Sequence, residues 1–436
     1  MNRGMSLKKL VGFQSLLNSV KEVIEPLNSQ DLRDQTRINY TISDCVLSNF
    51  AMMFFQDASM LQFQRKMEDE YQNSNLRNLF GIKHIPSDST LRTMLDKINP
   101  NTFAPIFSNI ITKLNSSGEL KKFSIDGKYL CLIDGSQYHC SNKVNCKHCL
   151  TKNHRNKTTS YAHQVLVPAI VNPKLKEVLP LMPEEIRNED GKEKQDCEIN
   201  AAKRLIPKLK QYNLPFILCG DAMFASQNII ELTQENGFSY ILTTKSETLK
   251  ERVEQSSSLR SKEVIVKNKK YLYEWLNEVS LNYNTKTIMV NYFSLKIIDI
   301  ETAEVSYKNS WVTDLKIEGE LVETFVEAAR SRWKIENECF NILKNNGYEM
   351  EHNYGHGEEY LAANYFLLTL LSHLFHQIHQ LVDEVYQKLR AKKGPLVVLW
   401  NDLKAAIKMI IFDSWDQLLN YLLSPPKIYA SQLMTS

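Results

Sequence analysis

Three carboxylates stand out by where they fall: Asp134, Asp221 and Glu336. Asp134 closes the strand-like run Tyr129-Leu130-Cys131-Leu132-Ile133, and Asp221 closes a second, Phe216-Ile217-Leu218-Cys219-Gly220. Glu336 ends Arg332-Trp333-Lys334-Ile335-Glu336, inside a segment of helical periodicity. Acids at the ends of two buried strands and on one helix can meet at a point. Carboxylates that meet repel one another unless divalent cations neutralise them. The chemistry this predicts is metal-assisted phosphoryl transfer on a nucleic acid, in which two ions ~4 Å apart activate one oxygen and stabilise the departing one. All-oxygen ligands suit Mg²⁺ or Mn²⁺. Glu338 is the rival third acid, but at ~100° per residue it points ~200° away from Glu336 around a helix. Arg332, Glu336, Phe340 and Lys344 recur every fourth position and share one slowly drifting face. Singly, each acid also has a plainer role: Asp134 can open a turn, Asp221 can cap a helix, and Glu336 can pair with Arg332 at i,i+4.

A second constellation follows the first acid. Cys140, Cys146, Cys149 and His154 fall close together, and Cys146-x-x-Cys149 has the spacing of zinc ligands. His139, His148 and His163 are alternative ligands, and a reduced, metal-free loop is the competing reading. No Asp or Glu occurs from Gly135 to Lys176, while Lys143, Lys147, Lys152, Arg155 and Lys157 are all positive. A zinc-stapled loop carrying them would present charge to DNA phosphates beside the acidic site. His352 and His356 lie four apart, yet the intervening Gly355 favours a turn with polar packing over a shared helix face.

The elements that must carry these side chains follow from pattern. Residues 1–115 look helical: Ser43–Gln56 and Ser59–Tyr71 have apolar residues at helical spacing, and Pro86–Thr90 offers cap chemistry before Leu91–Ile98. A helical bundle is expected there, with DNA-end binding as a further role. From Phe123 the pattern changes, and Tyr129–Asp134, Tyr161–Val171 and Glu177–Leu181 read as three successive strands. Asp196 is placed to cap a helix through Ala201, Ala202, Leu205 and Leu209. Phe216–Gly220 reads as a buried parallel strand, Ser226–Asn236 as helix and Ser239–Thr244 as strand. The order β-β-β-α-β-α-β is that of an RNase H-like mixed sheet, which would set the first and fourth strands, and so Asp134 and Asp221, side by side. Glu263–Val266, Tyr271–Glu274, Glu278–Leu281, Thr287–Ile298 and Val305–Val312 predict a mostly β insertion before the last catalytic helix, which starts at Val322. Four regions are therefore expected: 1–115 helical, 116–244 with 319–357 as an α/β core, 245–318 as the insertion, and 358–436 helical.

The 436 residues suffice for two or three domains. A net charge of +3 does not by itself demand a nucleic-acid partner, so local charge has to carry that inference. With only 14 glycines and no G-x-G-x-x-G or Walker-type loop, a nucleotide cofactor is not expected. The N-terminal stretch is polar and amphipathic rather than a signal core. Leu361–Val382 lacks Asp, Glu, Lys and Arg but holds His373, His376, Gln377 and His379, which predicts a buried helix and no membrane partner. The eight cysteines suit a reducing cytoplasm better than a disulfide framework.

Leu132-Ile133-Asp134-Gly135-Ser136, Leu218-Cys219-Gly220-Asp221-Ala222 and Arg332-Trp333-Lys334-Ile335-Glu336-Asn337-Glu338 together resemble the DDE transposases of bacterial insertion sequences, in the branch with a Y-R-E-K signature. Phe340 to Tyr348 and His352 to Gly357 look like the same group, so the likeness spans roughly 85–370. It implies that Asp134, Asp221 and Glu336 are the catalytic, Mg²⁺-binding acids and that Arg332 and Lys344 contact DNA phosphates. The signature Tyr is Ala329 here, and Lys344 follows Glu336 by eight residues rather than seven. The likeness further implies cleavage at the ends of a mobile element, joining of the 3′ ends to target DNA, recognition of terminal inverted repeats, a homodimer on those ends and a place at the bacterial nucleoid. The alternatives are an RNase H-like nuclease that only hydrolyses and a non-catalytic DNA-binding descendant of a transposase.

Overall fold

The structure, a computed structural model, describes residues 9–427 apart from 35, 37, 58, 189–195, 283–287 and 353. The chain is mixed α/β and divides into two compact units, one of Met1–Glu119, Tyr138–Ala162 and Asn341–Ser436, the other of Leu120–Gln137 and His163–Phe340. Its strands are β1 (Ser124–Ile125), β2 (Lys128–Ser141), β3 (Leu150–Asn153), β4 (Thr159–Val171), β5 (Leu179–Pro180), β6 (Glu184–Ile186), β7 (Phe216–Gly220), β8 (Ser239–Thr243), β9 (Arg260–Val266), β10 (Lys269–Ser280), β11 (Met289–Asp299) and β12 (Val305–Thr313). They form one mixed sheet of order β3-β4-β2-β7-β8-β12-β11-β10-β9, with β1 on β2 and β5 and β6 on β4.

In the second unit β2, β7 and β8 run parallel. Parallel neighbours need crossovers, and the helices Glu198–Lys208 and Gln227–Glu235 supply them before β7 and β8. Every residue of β7 is buried, as its unbroken apolar run requires of a strand covered on both faces. Three expectations change. First, β2 continues seven residues past Asp134 to Ser141, so this acid lies mid-strand rather than at a strand end. Extension persists because the period-two burial does, through Ser136 and Tyr138. Second, the expected strand Glu177–Leu181 shrinks to β5, Leu179–Pro180, and a separate short strand, β6, follows it, since Pro180 and Pro183 withhold N–H donors from a continuous ladder. Third, residues 245–318 are not a separate body. Their strands join the same sheet through β12 on β8, pairing Trp311 with Thr243, Val312 with Leu242 and Thr313 with Ile241. Tyr271–Glu274 and Glu278–Leu281 are one strand, β10, interrupted by a register shift between Leu276 and Val279, with Glu278 at φ 58°. Thr287 lies outside the described residues.

The first unit is helical apart from the end of β2 and the β3–β4 hairpin. The N- and C-terminal helical regions, expected as separate bodies, pack as one. Phe13, from the Phe13–Ile24 helix, meets Phe54 at 5.4 Å, Phe80 at 5.5 Å, Phe375 at 6.3 Å and Trp415 at 5.0 Å between ring centroids. The Leu361–Val382 helix runs through this core with His373, His376 and His379 buried. Among the described residues no helix is long and apolar enough to cross a membrane.

That helix begins without a cap of its own, and Asp96 supplies one from the Asp88–Asp96 helix. Its carboxylate accepts the backbone N–H groups of Glu358, Glu359, Tyr360 and Leu361 at 2.8–3.1 Å. Burial pushes this carboxyl up, but the N–H donors outweigh it and hold it below its ordinary value. Gly357, at φ 71°, fits where a Cβ would run into Asp96 and Leu361. Asp96→Ala leaves up to four helix-start donors unmet and is expected to cost ~1–3 kcal/mol, read by chemical denaturation at pH 7. A loss within ~0.3 kcal/mol would remove Asp96 from this role.

Candidate functional site

The acidic site lies wholly within the second unit. β2 and β7 pair Tyr129 with Phe216 through Leu132 with Cys219. Both acids lie two residues beyond the last of these pairs, Asp134 still within β2 and Asp221 immediately after β7. Glu336 arrives by a broken helix: Trp333–Ile335 is α-helical and Glu336–Phe340 is a π turn. Arg332, just before it, bridges two acids, its Nη1 lying 2.9 Å from Glu336 Oε1 and 3.5 Å from Asp134 Oδ2. Asp221 Oδ1 also accepts the N–H of Met223, so its helix-capping role and its place in the cluster coexist.

A fourth carboxylate stands among these three. Glu198 opens the Glu198–Lys208 helix, and its carboxylate packs against Gly135, in the space a Cβ there would enter. Its charge reaches both strand acids. Burial pushes Asp134 up to about 7; the Arg332 charge opposes this, and the charges of Glu336 and Glu198 add to it. Burial, then the charge of Asp221, raises Glu198. The neighbours therefore run Glu336, Asp134, Glu198, Asp221. Pattern reading passed over Glu198 because an acid in a helix's first turn is ordinary dipole chemistry. The only local hint was its nearness to Asp196, which does not cap that helix through its side chain. The N-cap is Cys197, and Asp196 Oδ2 is held instead by Arg204 at 2.6 Å. Glu338 turns elsewhere and acts on Lys334.

The four side chains offer hard-oxygen ligands of the kind divalent cations take. Among the described residues these oxygens do not form a single-ion cage of ligands within 4.8 Å, as the Cys/His group below does. A two-ion site spreads its ligands more widely, since the ions themselves stand ~3.5–4 Å apart.

The remaining expected site residues lie in the first unit, except for His163. Lys344 pairs with Glu351 at 2.8 Å. Lys143, Lys147, Lys152, Arg155 and Lys157 are all exposed on or around the β3–β4 hairpin, and Lys147 pairs with Glu359 at 2.9 Å, a surface pair of small energetic weight. The expected zinc set of Cys140, Cys146, Cys149 and His154 needs correction. Cys140 is exposed, and His154, also exposed, bonds Ser160 Oγ through Nε2 at 2.8 Å. The ligand atoms that gather within 4.8 Å are instead those of Cys146, Cys149, His163 and His356, a group able to hold a metal such as zinc. His356 was expected in polar turn packing. Gly355 at φ 135° and Gly357 at φ 71° do make a turn, but one that delivers the ring to the cysteines. The His139 ring lies tilted against His356 at 4.7 Å, His148 lies 6.3 Å from the Tyr360 ring, and His352 meets Tyr354 edge-on. No protein-family model matches this chain, and no curated protein matches it significantly.

Proposed function

We propose that this protein is a DNA transposase that cuts at the ends of a mobile element and joins the freed 3′ ends to target DNA. The observation that carries the reading is Asp134 on β2 and Asp221 directly after β7, its parallel neighbour, with Glu336 tied to Asp134 through Arg332 and Glu198 acting on both strand-derived acids. The parallel run of β2, β7 and β8 joined through helices supports the reading of this unit as an RNase H-like core. The π turn at Glu336–Phe340 holds one residue more than an α turn, the same one-residue excess as the eight-residue step to Lys344.

Divalent ions, Mg²⁺ or Mn²⁺, would supply Lewis-acid charge to the phosphodiester. The chain's own part is to hold them and the DNA: Asp134, Asp221, Glu336 and Glu198 offer oxygen ligands, and Arg332 keeps two of these carboxylates oriented. The exposed basic residues of the hairpin, Lys143, Lys152, Arg155 and Lys157, suit contacts to a phosphate backbone, whose binding should weaken steeply with salt.

The test is incubation of the purified chain with Mg²⁺ and the DNA flanking its own gene, followed by mapping of cuts and of joined products. Cuts at fixed ends with 3′ ends joined to a second duplex are expected. Cleavage without joining would favour the hydrolytic nuclease, and no cleavage in either metal would favour a DNA-binding descendant. The fourth acid has its own expectation. Glu198→Gln should lower cleavage ~10–100-fold and raise the Mg²⁺ concentration needed for half-maximal rate, as loss of a supporting ligand does. An unchanged Mg²⁺ titration would remove Glu198 from the metal site.

A further inference from the structure

We propose that Cys146, Cys149, His163 and His356 form a structural zinc centre that clips the turn before β3 to the loop preceding the Leu361–Val382 helix. Cys146, Cys149 and His356 belong to the helical unit, and His163 is bonded directly to Ala162, the last residue of that unit's segment on β4. The four ligand atoms lie within 4.8 Å of one another, and two of the pairs have the spacing of tetrahedral zinc ligands. With Zn–S ~2.3 Å and Zn–N ~2.0–2.1 Å, two thiolates should stand ~3.8 Å apart and a thiolate and an imidazole nitrogen ~3.6 Å apart. Here the two Sγ atoms are 3.8 Å apart, and Cys149 Sγ lies 3.3 Å from His356 Nε2.

The surroundings prepare the same atoms for a metal. His356 Nδ1 is 2.9 Å from the Gly357 carbonyl, a bond that places the ring proton on Nδ1 and leaves the Nε2 lone pair facing the thiols. The Cys146 N–H points at Cys149 Sγ at 3.4 Å, and the Cys149 N–H returns to the Cys146 carbonyl at 3.2 Å, a tight knuckle that aims both sulfurs one way. Cys149, His163 and His356 are buried, so a bound ion would be shielded. The ligand set is closed, two thiolates and two imidazoles, which suits a structural rather than a catalytic ion, and binding releases the two thiol protons. The centre would fix the root of the basic hairpin and, through Gly357, the loop that Asp96 holds at the helix start.

The test uses the full-length chain, purified under reducing conditions from zinc-supplemented cells. Elemental analysis should find one zinc per chain, lost to background in the Cys146→Ser/Cys149→Ser double variant and in His356→Ala, and kept in Cys140→Ser and His154→Ala. Should the ligand variants fail to fold, Co²⁺ exchanged into the wild-type protein reads the site directly. A strong tetrahedral absorption with a thiolate charge-transfer band supports the assignment, and a weak octahedral spectrum overturns it. Zinc absent from the wild type, retained in the double cysteine variant, or lost from Cys140→Ser or His154→Ala would also overturn it. None of these readouts depends on DNA cleavage, so this centre and the transposase reading can fail independently.

Discussion

Asp134→Ala, Asp221→Ala and Glu336→Ala should each abolish Mg²⁺-dependent strand cleavage, with a fall of at least ~10³-fold, or ~4 kcal/mol of transition-state stabilisation. Each removes an oxygen ligand from a site whose other acids sit on separate elements, Asp134 within β2, Asp221 capping the turn after β7 and Glu336 opening the π turn. DNA binding should survive, since the exposed basic hairpin of Lys143, Lys152, Arg155 and Lys157 is untouched. Gel-shift and cleavage assays on the same preparations separate the two effects. Glu338→Ala serves as the internal control, because Glu338 acts on Lys334 and not on Asp134. Substantial cleavage by any one of the three variants, or loss in Glu338→Ala equal to theirs, would sink the assignment.

Asp134→Asn should stabilise the metal-free protein at neutral pH. Burial, opposed by Arg332 and reinforced by Glu336 and Glu198, raises this carboxyl from 3.8 to about 7. The folded chain therefore holds the proton more tightly than the unfolded chain does. The stability tied to that proton is fully present below pH ~4 and is lost as pH rises through ~7. At ~1.4 kcal/mol per pH unit the cost at pH 8 has an upper bound near ~4 kcal/mol, and a gain of ~1–3 kcal/mol is expected from asparagine after local relaxation. Thermal denaturation in EDTA should show the variant pulling ahead of wild type by a few degrees as pH climbs from 5 to 8. Added Mg²⁺ should close the gap or invert it, because only the wild type keeps a charged ligand at this position. Equal melting at pH 8 in EDTA would show that Asp134 is not held in a crowded acidic cluster.

The local pattern determined much of this. Phe216–Gly220 and Leu361–Val382 are legible to the residue, because an unbroken apolar run and a long stretch without Asp, Glu, Lys or Arg are written in consecutive side chains. The three acids and Arg332 were visible for the same reason, each lying in a short run of recognisable kind. What failed was what depends on distant partners. The true extent of β2 and the union of 245–318 with the rest of the sheet rest on which strands find each other, as in β12 against β8. The two terminal helical regions carry no mark of one another in sequence, yet Phe13 and Trp415 stack. Cys146-x-x-Cys149 announced a metal site, but its other ligands could not be chosen by proximity along the chain. His154 is nearer in sequence, whereas His356 arrives from some two hundred residues away on a turn built by Gly355 and Gly357. Glu198 looked like any acid in a first helical turn, and becomes part of the cluster only because the crossover to β7 starts beside Gly135. Sequence determines which side chains have chemistry to offer. Tertiary structure decides which of them meet, because a ligand set is defined by distances across the fold that no local periodicity encodes.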